Sequence, residues 1–191
     1  MHSLLYRFAL GCVEEKIIDN AELDWLVYGL EKWITTAITA IFFLLIGIHL
    51  ADATSVIAFL SSFYFLRVRT NGYHANSFLG CLIISLLLEG FFLKLVLPAL
   101  NSFIFILLNI TDFCTIFLFA PFANSNMHLD NEELMACRKT SRIRMSVLFT
   151  ASLLLYTFGQ LNVSKGILLG NTMTALLLII AYIKRKGENK K

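Results

Sequence analysis

The feature that most constrains this chain is its series of long apolar runs. A helix needs roughly 20 residues to cross a hydrocarbon core of about 30 Å. Stretches near that length recur at residues 33 to 50, 53 to 66, 78 to 97, 102 to 122, 145 to 160 and 165 to 183. Backbone polar groups find no water in lipid, so each run must be helical. Of the 191 residues 58% are apolar and only 15% charged, a balance too oily for one soluble domain. The expectation is an all-α, polytopic integral membrane protein with about six transmembrane helices. It forms a single membrane domain: an amphipathic N-terminal segment (1–32), a bundle (33–183) with polar loops at 67–77 and 123–144, and a basic tail (184–191).

Basic residues orient the bundle. With the N-terminus inside, Arg7, Lys16, Lys32, Arg67, Arg69, Arg138, Lys139, Arg142, Arg144, Lys184, Arg185, Lys186, Lys190 and Lys191 all fall on the cytoplasmic side, and only Lys94 and Lys165 lie outside. The net charge of +3 is therefore a topology signal and gives no reason to expect a nucleic-acid partner.

Residues 1–32 do not read as a signal peptide, because Arg7 interrupts the apolar stretch and Glu14, Glu15 and Lys16 follow it without a small-x-small cleavage site. Leu4, Leu5, Phe8 and Cys12 fall on one helical face, and Leu23, Leu26, Leu30 and Trp33 repeat the pattern after an Asp19/Glu22 capping box. This predicts an amphipathic hairpin lying on the inner leaflet, with the lipid bilayer as its partner.

Four cysteines (12, 81, 114 and 137) without a Cys-x-x-Cys pair favour neither disulfides nor zinc. His128 and Cys137 share a loop but lack a ligand spacing. No metal and no cofactor are expected. Glu89 and Asp112 lie within spans, where an ionisable group is costly enough that it should face protein.

The segment "RVRTNGYHANSFLGCLI", residues 67 to 83, carries the remaining chemistry. His74 and Cys81 are seven residues apart, which on one straight helix is about 10.5 Å along the axis and too far for proton transfer. A catalytic pair requires a bend, and Asn71 and Gly72 are turn formers, while Asn76 or Ser77 can cap the following helix. Cys81 would then lie in the opening turns, where the helix dipole, Arg67 and Arg69 favour thiolate. Spacing alone leaves a structural reading open, in which the histidine, cysteine and arginines merely furnish a membrane-edge loop.

The same segment resembles the accessory gene regulator B (AgrB) family of bacterial membrane cysteine endopeptidases that process quorum-sensing propeptides. The family's arginine, its glycine two residues before a histidine, and its cysteine seven residues after that histidine correspond here to Arg67, Gly72, His74 and Cys81. "DWLVYGLEKWI" (24–34) resembles the family's tyrosine-glycine element, and "FAPFANSNMHLDNEELMACRKTSR" (119–142) its alanine-proline turn and basic loop. Where the family often has lysine-proline, Met127 and His128 follow Asn126.

The resemblance implies that Cys81 is the nucleophile and His74 its general base. The substrate would be a short amphipathic propeptide of the AgrD type, cut on the cytoplasmic side of a bacterial cell membrane through an acyl-enzyme thioester. Ring closure to a thiolactone or lactone would follow. Arg67, Gly72, Arg138 and Lys139 become candidates for supporting the site or binding the acidic propeptide tail, and a second copy in a homodimer is a further expected partner. The competing class is a non-enzymatic transporter or sensor subunit that uses the cytoplasmic loops to bind partners. A transporter should show internal repeats with interrupted spans, and none is evident with Pro98 and Pro121 the only prolines.

Overall fold

The computed structural model describes residues 2–73, 78–122 and 131–188. The chain is mostly helical there: α1 (His2–Glu14), α2 (Leu23–Leu50), α3 (Ala53–Thr70), α4 (Phe78–Phe91), α5 (Ser102–Phe119), α6 (Asn131–Thr157) and α7 (Leu161–Glu188). A π-turn, Phe92–Val96, and a last helical turn, Leu97–Ala99, extend α4. The wider turn answers Pro98, which has no N–H to donate and whose ring would crowd the carbonyl of Lys94 in a regular helix. Leu97 N–H accordingly reaches Phe92 O, five residues back.

Among the described residues four helical stretches are long and apolar enough to cross a membrane: residues 20–50, 79–99, 102–119 and 161–186. The runs expected at 53–66 and 145–160 are helical too, as α3 and the second half of α6, but these helices carry Arg67 and Arg69, and Arg138, Arg142 and Arg144, respectively. The expected loop at 123–144 differs in its second part: α6 begins at Asn131, so the basic residues 138–144 stand on a helix. Glu132 and Glu133 in its first turn suit a helix N-terminus.

Two compact units divide the chain, residues 1–42 and 43–191. In the first, α1 folds back on the start of α2, burying Leu5 and Ala9 against Leu23 and Val27, with Val13, Leu26, Leu30 and Ile34 around them. The hairpin is the expected one, but its packed face is rotated: Leu4, Phe8 and Trp33 are exposed, and Ala9 and Val27 take the central places. Small Ala9, fully buried, lets the two backbones approach. Glu22 accepts the Asp19 N–H at 3.2 Å, one half of the predicted box. The second arm and the first span form one unbroken helix across residue 32.

The second unit is built around α7, of which 67% is buried, against 11 to 22% for the other three apolar stretches. Its closest neighbour is α3. A Cβ on Gly166 would meet Ser55 O and come within 2.9 Å of Ala58 Cβ, and one on Gly170 would meet Ser62 Oγ, Phe59 O at 2.5 Å and Phe63 N at 2.9 Å. Gly166-x-x-x-Gly170 is the small-residue spacing that lets membrane helices touch backbone to backbone. Serines then bond across the seam: Ser55 Oγ donates to Asn162 O at 3.0 Å and Ser62 Oγ to Ile167 O at 3.2 Å. In lipid, where apolar burial drives little association, such close contact and bonding hold helices together.

The two helices run parallel, Ser55 beside Asn162 and Tyr73 beside Leu177. α6 runs antiparallel to both. Ser141 Oγ donates to Arg69 O at 2.9 Å, and Ser164 Oγ to Ser152 O at 2.8 Å. α5 is antiparallel to α6, with Ser102 beside Tyr156 and Phe117 beneath Arg142. These pairings collect Arg69, Arg142, Arg144, Lys184 and Arg185 at one end of the unit. Arg144 lies over the Phe65 ring, Lys184 over Tyr73 and Arg185 over Phe122.

The seam makes a direct prediction. Gly170→Ala should lower unfolding stability by roughly 1–3 kcal/mol, the usual cost of overpacking. Gly11→Ala, with open space around its Cβ position, should be neutral or stabilising by about 0.5–1 kcal/mol, as for any glycine in a helix interior. Denaturant unfolding of both variants in detergent micelles checks the contrast, and equal behaviour would contradict the close seam.

Candidate functional site

Cys81 is the fourth residue of α4, in its first turn, and half-buried. The positive end of the α4 helix dipole therefore lies close to Cys81. Within the described residues α4 begins at Phe78. His74, with Ala75, Asn76 and Ser77, lies outside the described residues.

What is described is the chain that leads into His74, and it is held from several sides. Thr70 ends α3, and Asn71 turns the chain with φ 55° and ψ −143°. Gly72 follows at φ 126°, a region that side chains with a Cβ rarely adopt. Its Cβ position is also filled: a methyl there would strike Arg67 Nη1 and come within 3.2 Å of Leu177 O. Tyr73 N–H then donates to Leu177 O at 3.0 Å, so a carbonyl of the central helix α7 anchors the residue just before His74. On the other side of the turn, Phe122 N–H donates to Thr70 O at 3.0 Å.

Arg67 ties the turn together. Its Nη1 donates to Asn71 O and its Nη2 to Tyr73 O at 2.5 Å. One planar guanidinium thus spans both carbonyls flanking Gly72, which a single ammonium point could not do. Burial pulls the Arg67 guanidinium down from its ordinary value to about 10, and its electrostatic interaction with Cys81 opposes that shift. Arg67 remains charged at neutral pH, within electrostatic reach of the Cys81 sulfur. The expected turn thus has a cause that local sequence did not reveal: Gly72 provides room for Arg67 and for the α7 backbone, besides its conformational freedom.

The other sequence candidates separate into two groups. Arg69 lies on the opposite face of the same helix end, its Nη1 4.0 Å from Cys137 Sγ. Arg138 and Lys139 line a shallow groove on α6 with Phe117, Met135, Arg142 and Ile143. They belong to the same basic end of the unit as Arg67, but no contact joins them to Cys81 among the described residues. Glu89 and Asp112 face protein as expected. Glu89 is fully buried and close to the Cβ position of Gly47. Asp112 accepts a hydrogen bond from Thr172 at 2.6 Å.

Sequence reading missed Tyr73 and Leu177 as parts of the site, because a backbone bond between residues over a hundred positions apart leaves no local trace. It also passed over Gly166 and Gly170, whose spacing was a readable signal.

Gly72→Ala should therefore destabilise the protein by about 1–3 kcal/mol through backbone strain and the collision with Arg67. Thermal unfolding in detergent measures it, and an unchanged midpoint would contradict the described turn.

A family model described as accessory gene regulator B matches residues 7–179. No curated protein and no solved structure matches the chain.

Proposed function

Because the chain belongs to the accessory gene regulator B family of membrane proteins, which take part in processing a quorum-sensing propeptide, we propose that it is a cysteine endopeptidase with Cys81 as nucleophile and His74 as general base. The observation that carries this reading is the position of Cys81 in the first turn of α4, beside a buried Arg67 that clamps the chain leading into His74.

The chemistry follows from those groups. His74 takes the thiol proton as Cys81 sulfur attacks the scissile carbonyl of the propeptide, and the carbonyl oxygen becomes an oxyanion. Amide N–H groups of the first turn of α4 and the Arg67 charge are suitably placed to stabilise developing negative charge on sulfur and oxygen. Collapse of the intermediate expels the C-terminal tail as an amine, which receives the proton from His74. The remaining segment is left on Cys81 as a thioester. A cysteine or serine within the propeptide then attacks the thioester, releases Cys81 and closes a thiolactone or lactone. A tethered nucleophile competes well with water because its effective concentration is high.

The pairings of the second unit support six spans in this reading. α3 lies alongside α7 from Ser55 to Tyr73, so it reaches the same depths as a helix that is itself long enough to cross. α6 matches both in the opposite direction. In this arrangement α3, α5 and α7 run in one direction and α6 in the other. By the excess of Lys and Arg, the basic end faces the cytoplasm, and the site opens there at the headgroup level. Arg138, Lys139 and Arg142 on the groove of α6 then supply positive charge for the acidic propeptide tail, as well as for anionic lipid.

Cleavage of tagged propeptide in membranes tests the assignment. Cys81→Ala should abolish cutting while the protein still inserts, and Cys12→Ala, Cys114→Ala or Cys137→Ala should leave it largely intact. His74→Ala should slow cutting by about 10² to 10⁴-fold, the usual worth of a general base, with propeptide still co-purifying. Persistent cleavage by Cys81→Ala would sink the enzyme reading. Arg67→Lys should lose most activity even though charge is kept, because lysine cannot bridge both turn carbonyls.

A further inference from the structure

A second polar centre lies between α5 and α7, on helices other than the one that carries Cys81, and the proposed chemistry does not use it. The buried residues of α5 are Phe105, Asn109, Asp112 and Ile116, one stripe along the helix. On α7, Leu168, Asn171, Ala175 and Leu178 form a buried stripe with the same period. Shared neighbours fix the register of the two. Phe105 and Leu168 belong to one apolar cluster, while Ile116, Ala175 and Leu178 belong to another. Between them Thr172 Oγ1 donates to Asp112 Oδ2 at 2.6 Å. Asn109 lies one turn before Asp112 on the same buried face of α5, and Asn171 directly precedes Thr172 in α7, at nearly the same depth.

Both asparagines are fully buried. Asn109 Nδ2 donates to Phe105 O at 3.0 Å, which fixes the amide and leaves Oδ1 as an acceptor with no partner. Among the described residues, neither side-chain polar atom of Asn171 has a partner. Native proteins rarely leave buried polar groups unsatisfied, and each such group calls for a bound water, an ion or a functional role. In a span the demand is stronger, since lipid supplies no substitute.

We propose that this layer binds a sodium ion, with the Asp112 carboxylate as charged ligand and the Thr172 hydroxyl and the Asn109 and Asn171 amide oxygens as neutral ligands. An all-oxygen donor set suits a hard cation and disfavours softer transition metals. One carboxylate balances one positive charge, so the loaded site is neutral, whereas a divalent ion would leave an uncompensated charge in the span. Thr172 can accommodate the ion without losing its own bond, because its hydroxyl also lies 3.0 Å from Leu168 O and can turn its proton there.

The test uses the full chain in lipid nanodiscs, with sodium chloride exchanged for choline chloride at constant ionic strength. Binding of radioactive sodium is read by scintillation proximity, and the thermal midpoint is followed in parallel. Saturable sodium binding and a midpoint that rises with sodium are expected. Asp112→Asn should weaken sodium binding at least tenfold, and so should Asn171→Leu, which keeps the side-chain volume and the apolar packing. Absence of saturable sodium binding by the unaltered protein overturns the proposal. So does undiminished binding by either variant with unchanged helical content. Cleavage of propeptide plays no part in the readout, so the result stands whatever the fate of the Cys81 assignment.

Discussion

Everything at the basic end of this protein depends on the backbone contact between α3 and α7. Gly166 and Gly170 remove the side chains that would hold the helices apart, and Ser55 and Ser62 bond across the gap they leave. Because the pair is parallel and close, α3 delivers Thr70 and the turn after it against the last turns of α7. There Leu177 O takes the Tyr73 N–H. Move α7 outward by the width of one methyl group and that bond is lost, together with the space that Arg67 and Gly72 share. A site of this kind needs its groups held to a fraction of an ångström, and a loop at a membrane surface has little else to hold it.

Arg67 converts that packing into chemistry. A guanidinium enclosed at the end of a helix costs desolvation, offset here by two carbonyls in its own turn and by the neighbouring Cys81 sulfur. The same group therefore shapes the turn before His74 and places positive charge beside the nucleophile proposed for propeptide cleavage. The basic residues of α6 and α7 extend that positive region across the end of the unit, where several lie over aromatic rings: Arg142 on Phe117, Arg144 on Phe65, Lys184 on Tyr73. Positioned charge of this kind attracts an acidic peptide segment without fixing its sequence.

Much of this was legible in the sequence, for identifiable reasons. Apolar runs predict membrane helices because lipid permits little else, and the helical class followed. The turn at Asn71 and Gly72 was readable because turn formers act locally. The rotated face of the N-terminal hairpin was not, since Ala9 and Val27 win the central positions only once two particular backbones approach. The helical start of α6 was misread as loop because its charged residues hide a helix that continues an apolar one. Asp112 was expected to face protein, but its partner Thr172 lies sixty positions away and has no sequence signature.

The central claim is that Cys81 carries the acyl group of the cut propeptide. Its most direct test is mass spectrometry of the protein after brief incubation of membranes with a propeptide whose internal ring-forming cysteine or serine is replaced by alanine, so that the acyl group cannot leave by ring closure. The account predicts a peptide adduct on Cys81, of the mass of the segment before the cut, that hydroxylamine removes as expected of a thioester. Cleaved tail released with Cys81 free throughout, or an adduct on another residue, would contradict it.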